Sequence, residues 1–192
     1  MVITLDRTCG SKGGKIAKML AEKFGYTYVD HDYLIEKAKD SGRFDELVHF
    51  FSGPPGSYFY SLDFGSAETS EQAEFLSKLR KFMPKDNMIV VGCCGNHLLR
   101  KEGAFTIFIS ADTKDQIEIV QKEVSKIDDA DDARDYIQQV NGRRRLFHEA
   151  FTGENWESPK NYDLCLNVSA FGLDSTVEII EKAIEASEKE HE

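Results

Sequence analysis

The chain has 192 residues, of which 41% are hydrophobic and 30% charged, and its formal net charge at pH 7 is −10. That length supports one well-packed core and falls short of two ordinary domains, while no apolar run approaches the roughly 20 residues that a membrane span needs. The acidic balance argues against a nucleic-acid polymer as partner, since such binders present a basic surface.

The first residues, Met1-Val2-Ile3-Thr4-Leu5-Asp6, lack the basic region and long apolar stretch of a signal peptide, so a cytoplasmic location is expected. The four cysteines, Cys9, Cys93, Cys94 and Cys165, show no C-x-x-C pairing. An adjacent pair such as Cys93-Cys94 rarely closes a disulfide, and reduced, mostly buried thiols follow.

Val2-Ile3-Thr4-Leu5 reads as a buried strand. A glycine-rich turn comes next, and then a helix over 14–24 with Ile16, Met19, Leu20 and Phe24 on one face and Gly25 as its stop. Strand, glycine-rich turn and helix in that order form a phosphate loop: small residues let backbone N–H groups curl around an anion, and the helix start adds partial positive charge. Lys12 and Lys15 supply full charges. The stretch departs from G-x-x-x-x-G-K-[ST]. With Gly14-Lys15 set on the Gly-Lys pair, Cys9 stands for the first glycine and Ile16 for the hydroxyl that binds magnesium. The plainer reading is an ordinary strand-to-helix turn.

A second strand over 26–29 ends at Asp30-His31-Asp32, with Asp32 as a candidate N-cap for a helix over 33–39. Carboxylates there lie on the sheet edge where open α/β sheets bind ligands. From 41 to 86 the pattern loosens around Ser52-Gly53-Pro54-Pro55-Gly56-Ser57, passes through the aromatic run Tyr58-Phe59-Tyr60, and regains helical spacing over 70–82. This segment reads as a flap between the second and third strands. Met88-Ile89-Val90-Val91 is a third buried strand, and Gly92-Cys93-Cys94-Gly95-Asn96 a second small-residue turn leading into a helix over 97–101.

The fourth strand covers 105–109, after which Asp112 caps a helix carrying Ile117, Val120 and Val124. The acidic run Asp128-Asp129-Ala130-Asp131-Asp132 starts another helix, where negative charge suits the dipole. That helix continues through Tyr136, Ile137 and Val140 to Arg143-Arg144-Arg145. A loop with Trp156 and Pro159 precedes the fifth strand over 162–168. The last helix opens at Gly172-Leu173-Asp174, buries Leu173, Val177, Ile180 and Ile184, and frays over 187–192.

This alternation predicts an α/β fold: a five-stranded parallel sheet with helices on both faces and functional loops at the strands' C-terminal ends. The cleft there combines the loop over residues 10–15, Asp30, the Gly92 turn and the arginine cluster. Such a cleft suits phosphoryl transfer, which needs two substrates in line and positive charge on the oxygens of the moving group.

Arg7-Thr8-Cys9-Gly10-Ser11 with Ile16-Ala17, then Asp30, Ile89-Val90-Val91-Gly92 and Asn161-Tyr162-Asp163-Leu164 together resemble the cytidylate kinase-like family of P-loop nucleotide kinases. The resemblance spans nearly the whole chain. It implies a three-layer P-loop NTPase-type fold in a single domain, with an NMP-binding insertion near 36–87 and a helical, arginine-bearing lid near 126–160. It also implies ATP and Mg²⁺ as cosubstrates and transfer of the γ-phosphoryl group to a nucleoside monophosphate such as CMP. The donor's phosphates then fall to Cys9, Gly10, Ser11, Lys12, Gly13, Gly14 and Lys15, catalysis to Lys15 and Arg144, and the acceptor to Arg7, Asp30, Gly92 and Arg143.

Several positions depart from the family pattern. With the alignment fixed on Ala17, Gly13 takes the place of the phosphate-loop lysine, so Lys12 or Lys15 stands in for it. Cys93 follows Gly92 where an arginine is usual, the lid motif D-x-x-R reads Asn141-Gly142-Arg143-Arg144, and Gln116 replaces a common arginine. Arg144 can also be read as a surface partner of Glu149 or the acidic run, and Asp30 as a local helix cap.

Two other functions fit the same residues. One is a nucleotide or anion sensor that kept the cleft without its chemistry. The other is a soft-metal or redox site of Cys9, Cys93, Cys94 and His97 on neighbouring turns.

Overall fold

The computed structural model describes residues 1–44 and 69–190. The expected break at Ser52–Ser57 and the aromatic run at Tyr58–Tyr60 lie outside them. Five strands, β1 (Val2–Arg7), β2 (Thr27–Val29), β3 (Met88–Val91), β4 (Phe105–Ser110) and β5 (Leu164–Asn167), form one sheet in the order β2-β3-β1-β4-β5. Every pairing is parallel, with Leu5 opposite Val91 on one side and Ile107 on the other. β1 is thus central, and the loop that leaves it emerges at the middle of the C-terminal edge.

Side chains alternate across the sheet, and both faces are buried. Ile3, Leu5, Ile89, Val91, Ile107 and Ile109 meet α1 (Gly13–Phe24) and a long C-terminal helix (Leu173–Glu190) on one face. Val2, Met88 and Val90 meet α2 (His31–Asp40) and α3 (Thr69–Lys81) on the other. Continuous apolar strands are what a sheet covered on both faces requires, which is why Val2-Ile3-Thr4-Leu5 and Met88-Ile89-Val90-Val91 are legible as strands.

At three elements the structure departs from the expectation or decides between two readings. The turn after β3 starts a short helix, α4 (Gly95–Leu98), which gives way to a 3₁₀ turn (Arg100–Glu102) and left-handed Gly103. Asp30, not Asp32, caps α2: its Oδ1 accepts the Tyr33 N–H at 3.0 Å, and Asp32 sits exposed in the first turn. β5 is shorter than the run 162–168. Tyr162 turns inward against Phe108 and Trp156, and its hydroxyl donates to the Trp156 carbonyl at 2.7 Å.

Two helices lie between β4 and β5: α5 (Thr113–Glu123) and α6 (Ala130–Thr152). The acidic run does start α6, with Asp129 accepting the Asp131 and Asp132 amides. A four-residue helix, α7 (Val168–Phe171), links β5 to the C-terminal helix, α8. Among the described residues no helix is long and apolar enough to cross a membrane.

Asp163 fastens β5 to β4. Its Oδ2 accepts both the amide and the hydroxyl of buried Thr106 at 2.8 Å, and its own N–H donates to the Thr106 carbonyl at 2.9 Å. Asp163→Ala strands two donors of a buried residue and is expected to lower the unfolding free energy by about 1–2 kcal/mol. Urea melts check this: the midpoint falls at constant m-value, and an unchanged midpoint contradicts the clasp.

Candidate functional site

The loop between β1 and α1 is shaped by contacts that leave little freedom. The Thr8 N–H donates to the Ile109 carbonyl at 2.9 Å, and the Ser11 hydroxyl donates to the Thr8 carbonyl at 2.8 Å. Gly10 has φ +74°, and a Cβ there would lie 2.7 Å from both the Cα and the carbonyl oxygen of Gln116. Only glycine meets both conditions. The Gln116 side chain then bridges Thr8 Oγ1 and the Ala111 carbonyl, at 3.1 and 2.9 Å.

Lys12 completes the turn at φ 58°, a left-handed conformation that costs a non-glycine residue about 1–2 kcal/mol. The Ile16 amide reaches the Lys12 carbonyl at 3.0 Å as the first helical hydrogen bond. The N–H groups of Gly13, Gly14 and Lys15 are therefore the unpaired donors of a helix start and carry its partial positive charge.

These donors border a cleft of about 290 Å³ that Arg7, Lys12, Lys15 and Arg144 also line, with Glu123 of α5 as the one carboxylate among its described lining residues. None of the four cations forms an ion pair with a carboxylate among the described residues. A four-to-one excess of positive charge in a chain of net charge −10 favours an anion in this cleft, as does the helix start.

The far wall comes from α6. Asn141 and Arg144, three residues apart and so on one face, both reach the loop: Asn141 Oδ1 accepts the Cys9 N–H at 2.7 Å, and Arg144 Nη1 donates to the Arg7 carbonyl at 2.9 Å. The Cys9 thiol packs among Val120, Ala133 and Ile137 of α5 and α6. Burial, and after it the Arg7 guanidinium, pulls the Arg144 pKa down from the usual arginine value. Folding thus holds this cation where its charge is disfavoured, a position that a bound anion would relieve.

Arg7 joins this cleft to the next strand. Its side chain runs over Gly13, whose Cβ would lie 2.5 Å from Arg7 Cβ, to Gly92, whose Cβ would lie 2.8 Å from Arg7 Nη1. Two absent side chains make its channel. Gly92, Cys93 and Cys94 have φ values of 72°, 56° and 53°, a strained left-handed run that turns the chain sharply after β3. Arg7, Asp6 and Asp30 all lie close enough to Cys93 to act on its thiol, which burial pushes up to about 12.

Most of the residues singled out in the sequence therefore meet at one edge. Lys12, Gly13, Gly14, Lys15 and Arg144 line the cleft with Arg7, Cys9 and Gly10, while Gly92 lies against Arg7. Cys9 and Ser11 turn polar groups toward Asn141 and Thr8 and away from the cleft. Asp30 caps α2 at the neighbouring strand end. Arg143 is half-buried on α6 but is not among the lining residues. Arg144 pairs with neither Glu149 nor the acidic run; its partner is the loop itself.

Gln116 and Asn141, which the sequence marks only as departures, turn out to brace the loop. The signal for Asn141 was its spacing from Arg144 on one helical face.

Phosphate fits this site; a magnesium ion at the loop does not. P-loop NTPases hold magnesium with a hydroxyl at the helix start and an aspartate beyond a strand. Here the helix opens Gly13-Gly14-Lys15-Ile16-Ala17 and β3 is followed by Gly92-Cys93-Cys94, with no side-chain oxygen at either place. The soft-metal reading is not supported either. Cys9 and Cys94 belong to separate apolar clusters, burial raises the pKa of both thiols, and no metal-binding group of His, Cys, Asp and Glu occurs among the described residues.

Several solved structures share this fold. An uncharacterized protein from Eubacterium ventriosum ATCC 27560 superposes with a TM-score of 0.71 at 22% identity, covering 97% of this chain and 98% of that one. Shikimate kinase from Bacteroides thetaiotaomicron superposes at 0.55 and 15% identity, covering 96% and 98%. A gluconokinase from Sinorhizobium meliloti 1021 superposes at 0.53 and 11% identity, covering 99% and 95%. At such identities the likeness is one of fold, the P-loop kinase fold. No curated protein matches the chain. The sequence profile of the cytidylate kinase-like family matches residues 2–170, and with the sheet order and loop just described, the chain belongs to that family.

Proposed function

We propose that this protein transfers the γ-phosphoryl group of ATP to a nucleoside monophosphate, with CMP as the first acceptor to test. Family membership supports a nucleotide-kinase-like activity. One observation carries the chemical step: the amides of Gly13, Gly14 and Lys15, without partners among the described residues, open onto a cleft lined by four cations that have no carboxylate partners among those residues either. Phosphoryl transfer asks for positioning and charge more than for covalent chemistry.

In this reading the α1 amides and the ammonium groups of Lys12 and Lys15 hold the donor's phosphates. Arg144 lies across the cleft and places its guanidinium on the oxygens of the moving group, where a planar fork of donors suits them. Arg7 spans from the phosphate loop to Gly92 and brings to the acceptor side the positive charge that Cys93 does not supply. Asp30 has one carboxylate oxygen engaged as the cap of α2 and the other available for the acceptor. Arg143 contributes to the acceptor side from the same helix turn as Arg144. The apolar α5–α6 cluster around Cys9 shields the site from water.

A coupled assay with ATP, magnesium and each nucleoside monophosphate is expected to show turnover above background with at least one acceptor. Binding without turnover of any acceptor contradicts the kinase reading and leaves a nucleotide-binding protein.

Arg144→Met separates a catalytic cation from a structural one. It removes a disfavoured charge and keeps most of the volume, so stability without ligand is expected to change by no more than about 1 kcal/mol. Turnover is expected to fall by about 10²–10³-fold. A large loss of stability with turnover tracking the folded fraction contradicts the assignment.

A further inference from the structure

We infer that the cradle binds the phosphates of a nucleotide without a divalent cation, with Lys12 and Lys15 supplying the charge that magnesium supplies in other phosphate loops. The inference rests on the anion-site reading proposed above and deepens it by naming the form of the ligand: the free polyphosphate, not its metal chelate.

Three observations lead here. The first is the donor set. Magnesium wants near-octahedral oxygen ligands, yet the first turn of α1 presents Gly13, Gly14, Lys15 and Ile16, and the turn after β3 presents Gly92, Cys93 and Cys94. The two hydroxyls in the loop already have protein partners: Ser11 Oγ donates to the Thr8 carbonyl, and Thr8 Oγ1 accepts from Gln116. Of the nearby aspartates, Asp30 gives one oxygen to the Tyr33 amide, and Asp6 is buried beside the Tyr162 hydroxyl.

The second is charge. A metal ion among Arg7, Lys12, Lys15 and Arg144 would meet four positive groups with Glu123 alone to offset them. A free polyphosphate brings more negative charge to the same cleft than its chelate does, so the cations favour it. Both lysines are exposed and line the cleft, which leaves their ammonium groups free to follow a phosphate.

The third is backbone strain. Lys12 is held at φ 58°, where glycine would sit at no cost. Sparsely populated conformations of this kind persist at ligand clamps, and this one aims the loop so that a cation adjoins the open amides of α1.

Calorimetric titration of the whole protein with ATP, once in EDTA and once in excess magnesium chloride, tests the inference. The dissociation constant in EDTA is expected to be no more than about threefold weaker than in magnesium, or tighter. Lys15→Thr removes a charge at an exposed position and places a hydroxyl in the first turn of α1. It is expected to weaken EDTA binding by about tenfold or more while changing binding in magnesium much less, and its unliganded melting temperature serves as the folding control.

Loss of more than about threefold in wild-type affinity on chelation overturns the inference and leaves the nucleotide-binding reading standing. Absence of ATP binding in both buffers overturns the two together. The coupled assay remains a separate reading, since tight metal-free binding without turnover would sink the kinase proposal alone.

Discussion

The close approach of Gly10 to the backbone of Gln116 fixes the site. Because no side chain fits between them, the loop leaving the central strand lies flat against the start of α5, and the chain must then reverse through left-handed Lys12 to enter α1. The outcome is a helix whose first three amides face open space at the middle of the sheet's C-terminal edge. Everything around the cleft acts on that point: Arg7 below, Lys12 and Lys15 at the mouth, Arg144 opposite. If the loop moved by one side chain's width, Gln116 would lose Thr8 and the amides would lose their aim.

The helical wall is held to the loop by a mixture of forces. Packing of Cys9 into the α5–α6 cluster is apolar and nondirectional. The Asn141 and Arg144 hydrogen bonds to the loop backbone are directional. Asn141 here does what an acid in the lid motif could do, accepting a main-chain N–H, without adding a negative charge beside the cleft. The ring nitrogens of buried His148, further along α6, lie 3.0 Å from Asn96 Oδ1 and 3.2 Å from the Glu154 carbonyl oxygen, tying the same helix to α4. The wall is thus anchored at two points along α6, one of them on the phosphate loop.

Much of this was legible in the residues. Unbroken apolar strands, glycines between strand and helix, and the 3.6-residue spacing of Ile16, Leu20, Val177 and Ile180 define the sheet and its helical layers, because burial on both faces leaves only such patterns available. Lys12, Lys15 and Arg144 were identifiable by charge and position. The roles of Gln116 and Asn141 were not, since each acts through a hydrogen bond across more than a hundred residues of chain. Both Asp30 and Asp32 are candidate caps of α2 by a local rule, and the geometry of the strand end decides for Asp30. Tyr162 and Asp163 read as strand, whereas aromatic packing and the Thr106 clasp give them other work. The insertion near 36–87 is represented in the described residues by its two ends alone.

An amide NMR titration with ATP observes the anion cradle itself. The account predicts that the N–H signals of Gly13, Gly14 and Lys15 shift most, and that their hydrogen exchange slows at saturation, with the Cys9 amide less affected because Asn141 already holds it. Saturable binding that leaves those three signals unmoved while others shift would contradict it.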